Sequence, residues 1–249
     1  MKFTRNSAND APAAIVLILG SGPNVTDCQV WPRAPFDRIV AINNAWRVRP
    51  DWDHCIYPED FPEDRHPPEG PGHVRAEAFV PAQNAYGGFV YAGGTMAFTA
   101  GYWALHALAP RVIACFGCDM VYEGARTHFY GRGTADPLRP DVTLRSLEAK
   151  SARLMLLAAR QGCAVVNLST SGSRLALPRA RSDGLGDLRP LPAEGEAVEA
   201  LLERERRLGY HVPSGRYWEE AERFDPEEID ALDAGWLAAA RLDLEPAPA

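Results

Sequence analysis

The segment Ile15–Val25, IVLILGSGPNV, sets the fold. Its five leading apolar residues, Ile15 to Leu19, are too few for a buried helix and rich in β-branched side chains, so they read as a strand covered on both faces. The run halts at Gly20-Ser21-Gly22-Pro23. A turn of small residues at a strand's end, opening into a helix whose first N–H groups are free, is a cradle for phosphate, and Gly22 leaves room for backbone to approach it. Pro23 lacks an N–H but suits a first helical position.

Working outward, short apolar runs recur between Gly-, Pro- and Asp-rich loops and predict further strands at Arg38–Ile42, His54–Tyr57, Ala76–Val80, Val112–Phe116 and Ala164–Leu168. Two helices are expected between the later runs. Thr95–Leu108 is closed by Pro110, and Val142–Arg160 carries an apolar face of Leu144, Leu147, Leu154, Leu157 and Ala158. This alternation predicts an α/β fold: a doubly wound, mostly parallel, Rossmann-like sheet. Residues 59–72, EDFPEDRHPPEGPG, are too rich in Pro and charge for a regular element. After Ser182 the pattern changes to charged helices at Glu194–Leu208, Tyr217–Arg223 and Pro226–Leu242. The expected organisation is a nucleotide-binding domain, 1–182, and an acidic helical extension, 183–249, packed on the body or on a second copy of the chain, with Trp218, Phe224 and Trp236 as anchors.

Composition narrows the function classes. With 46 % hydrophobic residues in 249, the chain can bury a sizeable core. The apolar stretch Ala11–Leu19 is about half a membrane span and no cleavage site follows the leader, so a cytoplasmic protein with no membrane span is expected. From Asp183 onward 17 acidic residues face 7 basic ones, which leaves 16 acidic and 19 basic in the first 182. Such a mildly basic body suits an anionic metabolite better than nucleic acid. The five scattered cysteines form no disulfide framework, and Cys115-Phe116-Gly117-Cys118, on a predicted buried strand without a second pair, reads as core rather than as a redox or zinc site.

Open parallel sheets bind ligands beyond the carboxyl ends of their strands. Each polar motif follows a strand directly: Gly20–Pro23, Asn43-Asn44, Tyr57–Asp60, Gly117–Asp119 and Ser169–Ser173, with Gly93-Gly94-Thr95 opening a helix on the same edge. These residues are expected to share one pocket. A dinucleotide does not fit it. The third glycine of G-x-G-x-x-G is replaced by Val25, the second strand ends in Asn43-Asn44 where an acidic residue would grip ribose, and no G-K-[ST] follows. The paired Asn amides suit a pyrimidine or pterin edge or sugar hydroxyls, or else they cap a helix starting near Ala45.

In order and approximate spacing, ILGSGPNV, VAINNAWR, AGGTMAFTAGYWALHALAPRVIACFGCDMVY, GARTHFYG and NLSTSGSRLALPRA resemble two related groups. These are the bacterial sialyltransferases of glycosyltransferase family 42 and the 6-hydroxymethylpterin diphosphokinase-like family. The likeness covers Ile15 to Ala180 and leaves out the acidic extension. It implies a cytidine nucleotide against Gly20, Gly22 and Asn43, with Gly93, Gly94 and Thr95 before the helix. It further implies His128 as general base and Tyr122 and Tyr130 as partners of the departing phosphate. The spacing of the two tyrosines and the short loop between them depart from the family pattern.

The same residues suit glycosyl transfer without a metal cofactor. An acceptor hydroxyl needs a base titrating near neutrality, which His128 offers, and the leaving phosphate needs donors such as Tyr hydroxyls, turn amides, Arg126 or Arg132. Two other classes stay open. A diphosphokinase would hold Mg²⁺ and ATP through Asp119 with Glu123 or Asp136, although Asp119 can equally cap the loop after its strand. A non-catalytic nucleotide-binding protein would use its acidic extension as an interaction surface.

Overall fold

In a computed structural model, residues 15–70, 72–123, 126–132, 139–192 and 195–241 are described. Six parallel strands form one sheet in the order β4-β3-β2-β1-β5-β6. They are β1 (Ile15–Leu19), β2 (Arg38–Ile42), β3 (His54–Ile56), β4 (His73–Val74), β5 (Val112–Phe116) and β6 (Ala164–Asn167). The α/β, doubly wound arrangement expected from the alternation is therefore present. Every residue of β1 and β5 is buried, which is why both read as unbroken apolar runs.

Helices α1 (Ala76–Asn84), α2 (Phe89–Ala92), α3 (Met96–Ala107) and α4 (Leu147–Ala159) follow the chain between strands. Val16, Ile18 and Ile113 on one sheet face share a core with Phe79 of α1, Phe98 and Tyr102 of α3, and Leu154 and Leu157 of α4. Leu17, Leu19 and Ala114 face the other way, onto residues from three 3₁₀ segments, Pro23–Val30, Asn43–Arg47 and Ser182–Asp187. Among the described residues no helix is long and apolar enough to cross a membrane.

Two expected elements differ. Ala76–Val80 is the first part of α1, not a strand: Ala-Glu-Ala favours helix, and Phe79 and Ala82 turn to the core at helical spacing. The fourth strand is only His73–Val74, paired with Cys55 and Ile56. The single helix expected over Val142–Arg160 is broken by two successive caps. Asp141 accepts from the Thr143 N–H at 2.8 Å, and Ser146 accepts from the Ala149 N–H at 3.1 Å to start α4.

The acidic extension forms α5 (Gly195–Leu208), a 3₁₀ segment Tyr217–Arg223 and α6 (Pro226–Ala239). Its charges are not all surface decoration. Arg153 of α4 pairs with Glu205 at 2.7 Å and Lys150 with Asp233 at 2.7 Å, all four side chains buried. The Trp236 indole N–H donates to Glu205 at 3.0 Å. Phe224 and Trp236 are buried as the anchoring role requires, whereas Trp218 is 62 % exposed and anchors nothing.

Candidate functional site

The strand order places β2 on one side of β1 and β5 on the other, so the chain reverses direction across the sheet at β1 and β5. The crevice beyond such a point is where open sheets hold ligands. There the two loops bind each other: Gly20 N–H donates to Phe116 O and Gly22 N–H to Gly117 O, both at 2.8 Å. A Cβ on Gly20 would lie 2.2 Å from Gly117 O, and one on Gly22 would lie 2.8 Å from it. The room that Gly22 leaves is thus taken by the neighbouring loop, not kept for phosphate. The N–H groups of Ser21 and Asn24 donate to no described residue.

A cavity of about 1180 Å³ opens at this edge. Among the residues expected there, Gly20, Ser21, Gly22, Pro23, Asn43, Asn44, Gly94, Thr95, Gly117, Asp119, Tyr122, His128, Tyr130 and Ser171 line it. Pro58–Asp60, Cys118 and Gly172 line it too, whereas Tyr57, Gly93, Ser169, Thr170 and Ser173 do not. Gly93 sits at φ 93° against Phe98 and Lys150, and Ser169 stands one layer behind the wall, where its Oγ accepts from Asn24.

Three amide oxygens on this wall lack partners. Asn24 Nδ2 donates to Asp119 Oδ2 at 3.1 Å and to Ser169 Oγ at 2.8 Å, which fixes the orientation of the amide and leaves Oδ1 unmatched. Asn43 Oδ1 and Asn44 Oδ1 are also buried without a partner, and Asn44 is only 4 % exposed. The capping alternative fails: the 3₁₀ segment starts at Asn43 itself, its cap position is Ile42, and no side chain caps it. Asn43 also sits at φ 52°, a left-handed conformation that Asn tolerates well. Buried acceptors left unpaired cost about 1–3 kcal/mol each, a cost that a ligand bringing N–H or O–H donors removes.

Asp119 is a framework residue. Its Oδ1 accepts from Asn167 Nδ2 at 2.8 Å and its Oδ2 from Asn24, while its backbone oxygen accepts from Arg174 N–H at 2.9 Å. It thereby ties the loops after β1, β5 and β6 together, and its Oδ1 also lies 3.8 Å from the Arg179 guanidinium. Glu123 lines the cavity, and Asp136 lies outside the described residues. Among the described residues no three His, Cys, Asp or Glu side chains converge as metal ligands. Cys115 and Cys118 are free and buried, and hydrogen bonding between them together with burial holds the Cys118 thiol well above its ordinary pKa, as for a core residue.

His128 comes to the Gly turn through the backbone. Phe129 N–H donates to Ser21 O at 3.0 Å, and His128 and Gly131 exchange two backbone bonds that close a tight loop. The imidazole lies between two aromatic rings, Tyr122 at 5.6 Å and Tyr130 at 5.0 Å, the latter stacked. Burial lowers its pKa below the ordinary value, so the ring is neutral at pH 7. Nδ1 lies 2.9 Å from Thr127 Oγ1; when Nδ1 donates to that hydroxyl, Nε2 is the free base. Arg126 is bonded to Phe129 O at 2.6 Å, and Arg132 does not line the cavity.

The opposite wall was not apparent from the sequence. Tyr217, from the C-terminal extension, donates its hydroxyl to Asp141 at 2.7 Å and accepts from Arg139 at 3.0 Å. Asp141 also accepts from Thr143, whose Oγ1 accepts from Gly94 N–H at 2.9 Å. The Gly94 amide is therefore used inside the protein, and Thr95 caps α3 by accepting from Phe98 N–H. A Cβ on Gly94 would meet Tyr217 Oη at 2.2 Å, which explains the glycine. Arg216 and Trp218 extend this wall to the rim.

Comparison with protein-family models, with curated proteins and with solved structures returns no match.

Proposed function

We propose that the chain is a nucleotide-dependent transferase, a glycosyltransferase that takes a CMP-type sugar nucleotide and needs no metal ion. The observation that carries this reading is the bond from Phe129 N–H to Ser21 O, which sets a neutral imidazole beside the turn suited to a phosphate. The unmatched amide oxygens of Asn24, Asn43 and Asn44 supply acceptors for ribose hydroxyls or a base amino group. The phosphodiester of a sugar nucleotide, which carries no proton at neutral pH, does not satisfy them. The N–H groups of Ser21 and Asn24, with the Tyr130 hydroxyl and the Arg126 guanidinium, are the groups suited to the phosphate.

In the transfer, an acceptor hydroxyl gives its proton to His128 Nε2 while its oxygen bonds to the anomeric carbon. The bond from that carbon to the phosphate oxygen breaks, and its electron pair leaves with the nucleoside monophosphate. Tyr122 and Tyr130 hold the imidazole orientation by ring contact. Asp119 acts through Asn24, as a positioning residue.

The test is turnover with a sugar nucleotide. His128→Ala should lose on the order of 10²–10⁴ in kcat while nucleotide affinity stays, and the parent enzyme should work in EDTA. An activity that chelator silences and His128→Ala spares overturns the reading in favour of a Mg²⁺-ATP pyrophosphoryl transferase.

A further inference from the structure

One side of the cavity is a continuous apolar wall whose rings touch. Phe79 and Phe89 meet edge to face at 6.4 Å, and Phe89 stacks on Tyr217 at 6.2 Å. The Gly215 backbone packs on the same wall: a Cβ there would lie 3.1 Å from the Phe89 ring and 3.2 Å from Val80. All five residues line the cavity, and Phe79 and Tyr217 are buried, so the wall is recessed and is no surface patch. It also ends abruptly. Beyond the Tyr217 ring, its hydroxyl is bonded to Asp141 at 2.7 Å and to Arg139 at 3.0 Å. Tyr122, whose ring is 5.6 Å from the His128 imidazole, packs on the same core as Phe79, Val80 and Phe89. At about 1180 Å³ the cavity exceeds the roughly 300–1,000 Å³ that serves one drug-sized ligand, so there is room beside a nucleotide.

We infer that the acceptor is a small phenol whose ring lies on the wall formed by Phe79, Phe89 and Tyr217. A flat ring continues the edge-to-face and stacked contacts that these side chains already make with one another. A long acyl chain would outrun a wall three rings across and meet the Asp141–Arg139 pair, and a sugar would set its hydroxyls against rings that offer them no hydrogen bond. The base agrees with this choice. His128 Nδ1 lies 2.9 Å from the neutral Thr127 hydroxyl, and burial lowers the pKa of the ring, so the imidazole is a weak base. A phenolic O–H, with a pKa of about 10, yields its proton to such a base far more readily than an aliphatic hydroxyl does. That proton passes to Nε2, the phenolic oxygen bonds to the anomeric carbon, and the electron pair of the breaking bond from that carbon leaves with the nucleotide. The inference rests on the glycosyl-transfer reading and deepens it by naming the acceptor class.

The experiment is saturation-transfer NMR on the full chain with 2-naphthol, 1-octanol and methyl β-glucopyranoside, an aromatic, an aliphatic and a sugar hydroxyl. 2-Naphthol should bind, and Phe89→Ala should weaken that binding about tenfold. Val80→Gln, which sets an amide on the wall with a residue that helices accept, should weaken it as well. Neither other compound should give a comparable signal. Absence of 2-naphthol binding, binding that either folded variant keeps in full, or equally tight binding of octanol or the glucopyranoside overturns the inference. CMP, titrated into the parent protein by thermal shift and then added to the naphthol complex, separates the two readings. A CMP shift without 2-naphthol binding overturns the phenol acceptor alone. Wall-dependent 2-naphthol binding without a CMP shift overturns the nucleotide reading and leaves an aromatic site. Joint binding of the two is expected, and displacement of 2-naphthol by CMP would put both on one site and overturn the acceptor.

Discussion

On the strand-end wall of the cavity the amide oxygens of Asn24, Asn43 and Asn44 are buried without partners, whereas on the wall built by the C-terminal extension the Tyr217 oxygen, the Asp141 carboxylate and the Gly94 amide satisfy one another. Unpaired buried acceptors cost stability, and all three belong to residues that line the cavity. Closed polar networks are rigid, so the second wall supplies shape, with Arg139, Arg216 and Trp218 exposed along it.

The largest effect is expected at the base of the second wall. Glu205→Ala strands Arg153, which is wholly buried, and removes the acceptor of the Trp236 N–H. A loss of about 3–5 kcal/mol is expected in urea denaturation; a loss below about 1 kcal/mol would mean that the extension is only loosely docked. Closer to the cavity, Gly94→Ala drives a methyl into Tyr217 Oη and Thr143 Oγ1, and should lower stability by about 1–3 kcal/mol. A neutral result there would show that the Tyr217 network yields easily and is no rigid wall.

The first wall should respond in binding instead of folding. Asn43→Gly keeps the left-handed backbone at φ 52° and removes the amide. Nucleotide affinity should fall by about 1–3 kcal/mol in calorimetry, while the melting temperature holds or rises because an unpaired buried acceptor is removed. The reverse pattern, a lowered melting point with unaltered affinity, would make Asn43 a structural residue. The smallest effect is in pH dependence. The base works deprotonated, so kcat/KM rises as pH rises through the His128 pKa, and burial holds that pKa below the ordinary value of about 6.5. The acid limb should therefore centre below that value and vanish in His128→Ala; a limb centred above it would contradict a desolvated base.

Much of the first wall was legible because it is local. Strand-ending runs of small and amide residues at β1, β2 and β5 mark their own position, and the parallel topology brings them to one edge. What each residue does there was less legible. Gly22 reads as phosphate-facing, but its space is filled by Gly117 O from the loop after β5, far along the chain, and Asn24 carries no motif of its own until Asp119 and Ser169 hold its amide. Ala76–Val80 misreads as a strand because five residues are too few to show a helical period. The second wall depends on Tyr217 and Trp218, which sit in a charged 3₁₀ segment with no periodic signal. Their meeting with Thr143 and Gly94 is purely tertiary.

In the proposed function, the unmatched acceptors of the strand-end wall hold a ribonucleotide without metal. The most direct measurement is the melting temperature of the full chain in EDTA with CMP, deoxy-CMP, UDP or ATP, repeated with Mg²⁺. CMP in EDTA should stabilise the fold, by roughly 2.7 kcal/mol at 100 times its Kd, deoxy-CMP should do so less, and Mg²⁺ should add nothing. Stabilisation by ATP that appears only with Mg²⁺, with CMP inert, would contradict that function.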